Sequence, residues 1–385
     1  MAKMCSLKND VEKNQMRVLV TGSKGFIGKH LVLRLSELKD YEIVEFARGQ
    51  SLELLTDLVC KVDIIVHLAG ENRPANVKDF ALVNTDLTQA VCDAVRSSGR
   101  NIPLILTSSE QAGRDNPYGK SKLEAEHAVE KLVMETGNAS VTYRLPGVFG
   151  KWCRPNYNSV VATFCYNIAN EVPIHINDAE ARIRLVYVDD VISDFITTLN
   201  NMENGGCYRV VAPEFLVTVG ELADQIYRFK NCRTSLLSER VGTGLIRALY
   251  ATYVSYLHTD KSSYYLPQYR DKRGMFVEVL KTPDTGQFSY FTAYPGVTRG
   301  GHYHHTKTEK FLVIKGKARF GFRHIITDET YELFISGDVP QVVDTIPGWA
   351  HDITNVGDEE MVVMIWANEI FNRELPDTIA SKVWK

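Results

Sequence analysis

Short hydrophobic runs alternate with amphipathic stretches along the first part of the chain. Uniformly apolar runs predict strands at 17–21, 41–46, 63–68, 102–107 and 140–144. The segments between them have helical periodicity, above all at 26–39, 78–97 and 118–136. Fully apolar strands that alternate with helices are typical of a parallel sheet covered on both faces. We therefore predict an α/β N-terminal domain built on a doubly wound parallel sheet.

The pattern changes from about residue 274 onwards. Short strand-like segments follow one another at 275–280, 287–292, 310–314, 317–323, 330–335, 341–344 and 361–366. Turn residues such as Pro283-Asp284 and Pro347-Gly348 separate them, which predicts an all-β barrel. We divide the chain into a disordered tail at 1–15, an N-terminal domain at 16–255, a connector at 256–271 and a C-terminal domain at 272–385.

Composition and charge narrow the classes of partner. The 385 residues are 44% hydrophobic and 24% charged, with a formal net charge of −3, which excludes disorder as the main state and argues against nucleic acid. The chain has no apolar run as long as the roughly 18 residues that a membrane span needs, and no signal-peptide pattern. The 7 scattered cysteines contain no C-x-x-C spacing. We expect a cytoplasmic protein that binds neither nucleic acid nor membrane.

A glycine motif directly follows the first predicted strand. Gly22, Gly25 and Gly28 form G-x-x-G-x-x-G at the start of a helix, where main-chain amides attract a pyrophosphate. This predicts a Rossmann-like dinucleotide site, and the alternative is a glycine-rich turn without a ligand. Arg48 follows the second strand, where an arginine pairs with a 2′-phosphate. NADPH is therefore favoured over NADH, unless Arg48 is a solvated surface residue.

Tyr118 and Lys122 form a Y-x-x-x-K motif at the start of a predicted helix. About one such match is expected by chance in a chain of this composition, and a second runs from Tyr303 to Lys307. The first gains weight from its place after the fourth strand. Residues four apart share a helix face, so we expect Lys122 to reach the cofactor ribose and to lower the pKa of Tyr118. Tyr118 would then protonate an oxyanion as hydride arrives.

These motifs, with Leu68-Ala69-Gly70, Ser109 and the segment 144–150, resemble the extended short-chain dehydrogenase/reductases that act on nucleotide sugars. The resemblance implies that Ser109 polarises the substrate carbonyl, with Ser108 as a neighbouring rival, and that Arg144 binds substrate. His67 is expected to be a packed strand-end histidine. The resulting cofactor-binding set is Gly22, Lys24, Gly25, Phe26, Ile27, Gly28, Arg48, Leu68, Ala69, Gly70 and Lys122.

A second group of chemically active residues lies near the C-terminus. Its members are His302, His304, Glu309 and His351. His302 and His304 alternate on one strand face, and the other two can approach from other strands. Three imidazoles and a carboxylate suit a divalent transition metal: Zn²⁺, Fe²⁺, Mn²⁺ or Ni²⁺. We favour Zn²⁺ as a Lewis acid or fold stabiliser, and the alternative is a barrel wall without metal. His305 and His324 are not expected to be ligands.

The C-terminal motifs resemble the paired motifs of the cupin superfamily. Within it, the segments 271–278 and 296–302 are similar to the D-x-R-G-x-F-x-E and R-G-x-H segments of deoxysugar 3,5-epimerases. This resemblance implies that Arg273, Glu278 and Arg299 hold a sugar nucleotide. Those epimerases are not metal-dependent, so their catalytic base is not carried over to this chain.

The two halves together, with the segments 150–158 and 304–310, resemble the bifunctional CapF family of capsular polysaccharide enzymes. The resemblance implies that the cupin epimerises C3 of a UDP-linked 4-keto-6-deoxy-N-acetylhexosamine. The reductase would then convert C4 with NADPH, giving UDP-2-acetamido-2,6-dideoxy-L-talose on the route to UDP-N-acetyl-L-fucosamine. A homodimer is expected. The alternatives are a reductase fused to an iron-dependent oxygenase cupin, and a non-catalytic sugar-binding or NADPH-binding module.

Overall fold

The computed structural model describes residues 15–384, so the predicted tail lies outside the described residues except for Gln15. Within this range the chain forms two compact units, one made of 15–224 and 251–256 and the other of 225–250 and 257–384. No helix among the described residues has both the length and the apolar character needed to cross a membrane.

The first unit contains nine strands and two sheets. The strands are β1 (Met16–Thr21), β2 (Tyr41–Phe46), β3 (Ile64–His67), β4 (Leu104–Ser109), β5 (Ser140–Leu145), β6 (Gly147–Phe149), β7 (Arg182–Tyr187), β8 (Gly206–Arg209) and β9 (Glu214–Thr218). The main sheet has the order β2-β1-β3-β4-β5-β8 with parallel neighbours, and β6, β7 and β9 form a small second sheet. The predicted strands β1 to β5 are confirmed. Strands β6 to β9 were not predicted.

Nine α-helices accompany these strands along the described chain. They are α1 (Phe26–Ser36), α2 (Leu52–Val59), α3 (Lys78–Phe80), α4 (Leu87–Ser98), α5 (Pro117–Thr136), α6 (Val160–Ala169), α7 (Val188–Asn200), α8 (Val219–Ser235) and α9 (Gly244–Val254). A π-helical turn at Ala81–Asp86 joins α3 to α4, and a 3₁₀ turn follows at Thr259–Lys261. Helix α5 begins where the Asn116 side chain accepts a hydrogen bond from the Gly119 amide at 2.8 Å, and it ends at Gly137 in the left-handed region.

Apolar side chains from the sheet and its helices form the core of the first unit. Leu19, Ile65 and Leu104 come from three neighbouring strands, and they pack with Leu55 of α2 and Leu132 of α5. All five side chains are at most 1% exposed. This packing fixes the carboxyl ends of β1, β3 and β4 beside one another, and the predicted reductase residues follow those ends.

The second unit is built from eleven strands in two antiparallel sheets, which confirms the predicted α/β plus all-β fold class. The strands are β10 (Tyr269–Asp271), β11 (Gly274–Thr282), β12 (Gly286–Ala293), β13 (Thr298–Tyr303), β14 (Glu309–Lys315), β15 (Lys317–His324), β16 (Thr330–Ser336), β17 (Val342–Asp344), β18 (Trp349–Asn355), β19 (Met361–Ala367) and β20 (Ile379–Ala380). The sheet orders are β10-β11-β12-β19-β14-β17 and β16-β15-β18-β13-β20. Phe291, Phe311 and Phe320 lie in the shared core.

The described units differ from the predicted domain limits at one segment. We predicted residues 16–255 as one continuous domain, whereas residues 225–250 belong to the second unit. Two main-chain hydrogen bonds join the segment between α8 and α9 to β11: Ser238 donates to the Lys281 carbonyl at 2.8 Å, and Lys281 donates to the Leu236 carbonyl at 2.7 Å. Helical periodicity alone does not reveal such pairing, because the partner is far along the chain.

Candidate functional site

The glycine motif forms a tight turn between β1 and α1. Gly22 has a φ of 67°, and a Cβ atom there would lie 2.7 Å from the Ala69 nitrogen. At Gly28 a Cβ atom would lie 2.3 Å from the Gly22 carbonyl oxygen. Gly25 is the N-cap of α1. The main chain at this helix start is therefore open to a phosphate group, as the motif predicts.

The loop after β3 closes the other side of this turn. Ala69 donates to Thr21 Oγ1 at 3.2 Å, which ties the loop to the end of β1. A Cβ atom at Gly70 would lie 3.0 Å from Lys122 Nζ and 3.1 Å from Asn84 Oδ1. Leu68-Ala69-Gly70 therefore runs between the glycine turn and the predicted catalytic lysine.

Ser109, Tyr118 and Lys122 come together at the end of β4 and the start of α5. The Ser109 hydroxyl lies near the Tyr118 phenol and acts to lower its pKa, and Lys122 Nζ donates to the Thr107 carbonyl at 3.2 Å. Ser108 faces elsewhere, because its Oγ donates to the buried carboxylate of Glu126. The geometry therefore favours Ser109 over Ser108 as the serine beside the tyrosine.

The pKa expectation for Tyr118 was wrong. Burial raises the pKa of its phenol, and the hydrogen bond from Ser109 offsets only part of that rise. Burial also lowers the pKa of Lys122 to about 8, although the nearby carboxylate of Glu126 opposes the change. A buried lysine whose ammonium group is held at Thr107 does not acidify the phenol here.

Arg48 forms an ion pair that the sequence did not indicate. Its Nη2 lies 2.8 Å from Glu71 Oε2, and its side chain is 79% exposed against 14% for Glu71. Lys24 is exposed on the glycine turn, while Phe26 and Ile27 are half-buried at the start of α1. Arg48 thus lies at the carboxyl end of β2, in the place predicted for a 2′-phosphate contact.

Two buried polar residues that the sequence analysis missed organise this region. Asn84 lies in the π-helical turn and donates to Ser121 Oγ at 3.0 Å, next to Lys122 on α5. Glu126 is 0% exposed and accepts from Arg144 Nη2 at 2.6 Å. Arg144, predicted to bind substrate, is therefore held by Glu126 and also stacks 4.8 Å from the Tyr208 ring. Only the π-turn interruption of a predicted helix is a detectable signal for Asn84.

The four predicted metal ligands of the second unit converge on one point. Their candidate ligand atoms all lie within 4.8 Å of one another. His302 on β13 and His351 on β18 are register partners, while His304 follows β13 and Glu309 begins β14. His305 and His324 lie outside this group, as predicted.

The chemistry of these donor atoms fits a divalent metal. The Nδ1 of His304 bonds to the Asp377 carbonyl, and that of His351 lies 3.4 Å from the Trp349 carbonyl. A carbonyl only accepts, so in a neutral ring Nδ1 carries the proton and Nε2 presents a lone pair. Glu309 Oε2 lies 3.4 Å from His304 Nε2 and 3.3 Å from His351 Nε2. Within residues 15–384, this oxygen and both nitrogens are buried without a hydrogen-bond partner. Converging acceptors of this kind are satisfied by a cation.

The protonation states of His302 and Glu309 also fit a metal site. Burial lowers the pKa of His302 to about 4, so this ring is neutral at pH 7. Burial by itself would raise the pKa of the Glu309 carboxyl. The ammonium group of Lys307, 2.8 Å from Glu309 Oε1, favours the ionised carboxylate, and the pKa of Glu309 lies well below its usual range. Neutral imidazoles around an ionised carboxylate are the forms that bind metal.

A cavity of about 400 Å³ lies against this cluster and shares Glu309 with it. Glu278, one of the predicted sugar-nucleotide residues, also lines the cavity, and Gln287 Nε2 donates to its Oε1 at 3.2 Å. Arg273 and Arg299 are not part of the lining. Arg273 pairs with Asp271 at 2.6 Å, and Arg299 donates to the Thr292 carbonyl at 3.0 Å. Of the three predicted residues, only Glu278 therefore lies in the cavity beside the cluster.

Two families match successive parts of the chain. Residues 18–212 match the NAD dependent epimerase/dehydratase family, and residues 269–379 match the polysaccharide biosynthesis C-terminal domain. The chain is 54% identical over 368 residues to a Pseudomonas aeruginosa UDP-2-acetamido-2,6-beta-L-arabino-hexul-4-ose reductase. This match covers 96% of this chain and 99% of that enzyme.

Solved structures give the same whole-chain similarity. The crystal structure of the capsular polysaccharide assembling protein CapF from Staphylococcus aureus has a TM-score of 0.87 and 43% identity, covering 96% of this chain and 100% of that one. A structure of CapF with the inhibitor 3-isopropenyl-tropolone has a TM-score of 0.83 and 39% identity with the same coverage. The two-domain arrangement is therefore shared with these proteins along nearly the whole chain.

Proposed function

The chain belongs to the NAD dependent epimerase/dehydratase family and, over nearly its whole length, to the CapF family, and we propose that it reduces a UDP-linked 4-keto sugar after epimerising it. The observation that carries the reductase is the contact between Ser109 and Tyr118 beside Lys122 and the glycine turn. The substrate class comes from the reductase named for the Pseudomonas relative.

Tyr118 is the proton donor of the proposed reduction. Burial keeps its phenol protonated at neutral pH, as an acid requires, and Ser109 lies close enough to share a hydrogen bond with the same substrate oxygen. Lys122 supplies positive charge from the neighbouring turn of α5. NADPH would supply the hydride when bound between the glycine turn and the loop after β3. The product is an alcohol at C4.

The cavity of the second unit is the proposed site of C3 epimerisation. A carbonyl at C4 acidifies the C3 proton, so a base in a cavity of this kind can remove it and an acid can return a proton to the opposite face. His302, His304, Glu309 and His351 would hold a Zn²⁺ or related ion, which would polarise an oxygen of the substrate.

Epimerisation followed by reduction gives the proposed product, UDP-2-acetamido-2,6-dideoxy-L-talose, on the route to UDP-N-acetyl-L-fucosamine for a surface polysaccharide. NADPH is the proposed cofactor because Arg48 follows the end of β2, where an arginine can pair with a 2′-phosphate. A homodimer in the cytoplasm, with the UDP-sugar as its main partner, completes the proposal. Sedimentation of the purified protein tests the dimer.

One NMR experiment tests both activities. The purified protein is incubated with a UDP-4-keto-6-deoxy-N-acetylhexosamine in D₂O, with and without NADPH. We expect deuterium at C3 without NADPH, and an alcohol at C4 once NADPH is added. No change at C3 would contradict the epimerase, and oxygen uptake in its place would identify an oxygenase. An unreacted ketone in the presence of both NADPH and NADH would contradict the reductase.

A further inference from the structure

The Arg48–Glu71 ion pair lies at the carboxyl ends of two strands that flank β1. We propose that Glu71 is a second determinant of cofactor choice, which limits the preference for NADPH that Arg48 creates. This inference rests on the proposed reductase function and on the dinucleotide site described above. It assigns a role to a residue that neither the sequence motifs nor the named relatives single out.

Sheet order places this pair over the glycine turn. Strand β1 lies between β2 and β3, and Thr21 is in register with both Phe46 and His67. Arg48 follows the end of β2 and Glu71 follows the end of β3. Their contact at 2.8 Å therefore reaches across the end of β1, where the glycine motif begins. Ligands of open α/β sheets bind at this edge.

Glu71 is the fixed partner of the pair. Its Oε1 accepts hydrogen bonds from the Asn72 amide at 3.1 Å, the Arg73 amide at 3.3 Å and the Tyr157 hydroxyl at 3.1 Å. Asn84 holds its main chain, because Oδ1 accepts from the Glu71 amide at 2.8 Å. The carboxylate therefore stays in place when a ligand arrives, whereas the 79% exposed Arg48 side chain is the one that moves.

The charge of Glu71 is also well defined. Burial would raise the pKa of its carboxyl, but hydrogen bonds from Arg48, the Arg73 amide and Tyr157 outweigh burial and lower the pKa. The group is ionised at neutral pH. The negative charge of Glu71 therefore lies beside the Arg48 guanidinium, which is the group that a 2′-phosphate would bind.

The two nicotinamide cofactors respond differently to such a carboxylate. The 2′-phosphate of NADPH must compete with Glu71 for Arg48 and is repelled by the carboxylate charge. The 2′-hydroxyl of NADH is neutral and can donate to a carboxylate, as acidic residues do in NAD-binding folds. Glu71 therefore weakens NADPH binding selectively. Arg48 still favours NADPH, so the preference for NADPH is reduced and not reversed.

If the Arg48–Glu71 ion pair had only a structural role, we would expect a different result. Exposed ion pairs contribute little to stability. If the loop needed Glu71 only for its shape, replacing Glu71 would weaken the binding of both cofactors. The ratio of the two dissociation constants separates these cases, because a change in loop shape does not act selectively on the 2′ substituent.

The test uses the full chain and fluorescence titration with NADPH and NADH. In Glu71→Gln the amide oxygen still accepts from Asn72, Arg73 and Tyr157, so the loop is preserved while the charge is lost. We expect NADPH to bind about tenfold more tightly and NADH to bind equally or more weakly. Arg48→Ala should weaken NADPH selectively, and Glu71→Gln should have little effect on NADPH affinity in the Arg48→Ala background.

Glu42→Gln is the matched control. Glu42 pairs with Arg17 at 3.2 Å, joining β1 and β2 at the opposite end of the same strands. This variant should change neither dissociation constant. Unchanged NADPH and NADH affinities in Glu71→Gln, or equal weakening of both, would overturn the inference. A wild-type protein that binds neither cofactor would instead contradict the proposed reductase itself.

Discussion

The Nδ1 atom of His304 donates its hydrogen bond to the main-chain carbonyl of Asp377, 73 residues further along the chain. The Asp377 carboxylate accepts four more bonds, from the amides of His305 at 2.9 Å, Thr306 at 2.7 Å and Lys307 at 2.8 Å, and from the Thr306 hydroxyl at 3.0 Å. One residue of the C-terminal segment thus sets the ring orientation of a candidate ligand and holds the loop that leads to Glu309. Contacts of this type are known to tune metal sites.

Replacing Asp377 by alanine should therefore weaken metal binding. The loop at 305–307 would lose its acceptor, and the main-chain carbonyl that bonds to His304 would remain but lose the side-chain contacts that hold it in place. We expect the affinity for Zn²⁺ to fall by about tenfold or more, measured by competition with a chelator. Asp338→Ala is the control, because Asp338 accepts a hydrogen bond from Ser336 in a different turn. Equal affinities in the two variants would show that the Asp377 contacts do not support the site.

His351→Ala removes a proposed ligand directly. We expect loss of bound metal, lower stability of the second unit and no deuterium exchange at C3, because one of the four ligands is removed and the metal charge beside buried Glu309 is lost with it. NADPH should still bind to the first unit. Elemental analysis and calorimetry check these outcomes. Full C3 exchange in a chelated, metal-free wild-type protein would refute the metal assignment.

Tyr118→Phe keeps the aromatic ring and removes the proposed proton donor. NADPH oxidation should fall by at least about a hundredfold, whereas deuterium should still enter at C3 in the second unit. Absorbance at the NADPH band and NMR measure the two activities separately. Loss of both activities would contradict the assignment of independent sites.

The lowered pKa of Lys122, about 8 against a usual 10.5, predicts two effects of pH. Reduction should slow as pH rises through about 8, because Lys122 then loses the charge it contributes. The unfolded chain binds this proton more tightly than the folded chain, so stability should rise with pH between about 8 and 10.5.

Lys122→Met tests the stability effect of that buried charge. It should raise the free energy of unfolding at pH 7 by about 2 kcal/mol while abolishing reduction. The exposed Lys120, also on α5, pairs with Asp115 at 2.7 Å, and Lys120→Met is the control for both measurements. Denaturant unfolding gives the free energies. A destabilised Lys122→Met would show that the Thr107 hydrogen bond outweighs the cost of burial.

Ser109→Ala and Ser108→Ala distinguish the two neighbouring serines. Ser109 contacts Tyr118, so its replacement should lower the rate of reduction by about tenfold or more. Ser108 donates to Glu126, so its replacement should cost about 1 kcal/mol of stability and leave the chemistry largely intact. Reduction assays and thermal unfolding measure the two effects. The reverse pattern would assign substrate polarisation to Ser108.

Local pattern alone determined much of the first unit and half of the second. Five strands, the helix at α5 and the glycine turn depend on neighbouring residues, so apolar runs and spacing predict them. Tyr118 with Lys122, and His302 with His304, are close in sequence and therefore close in space. The fold class and the identity of the candidate groups followed from these local relationships.

Tertiary structure decided which distant residues meet these groups. The sequence analysis placed His302 on one strand and His351 on another, but only the pairing of β13 with β18 in the folded chain shows that these two residues lie opposite each other. Three contacts join residues that are distant in sequence, so no local periodicity predicts them: Glu126 with Ser108, Glu71 with Arg48 and Asp377 with His304. Long-range contacts are set by how whole elements pack their buried faces, so the partners of charged and polar groups became visible only in the folded chain.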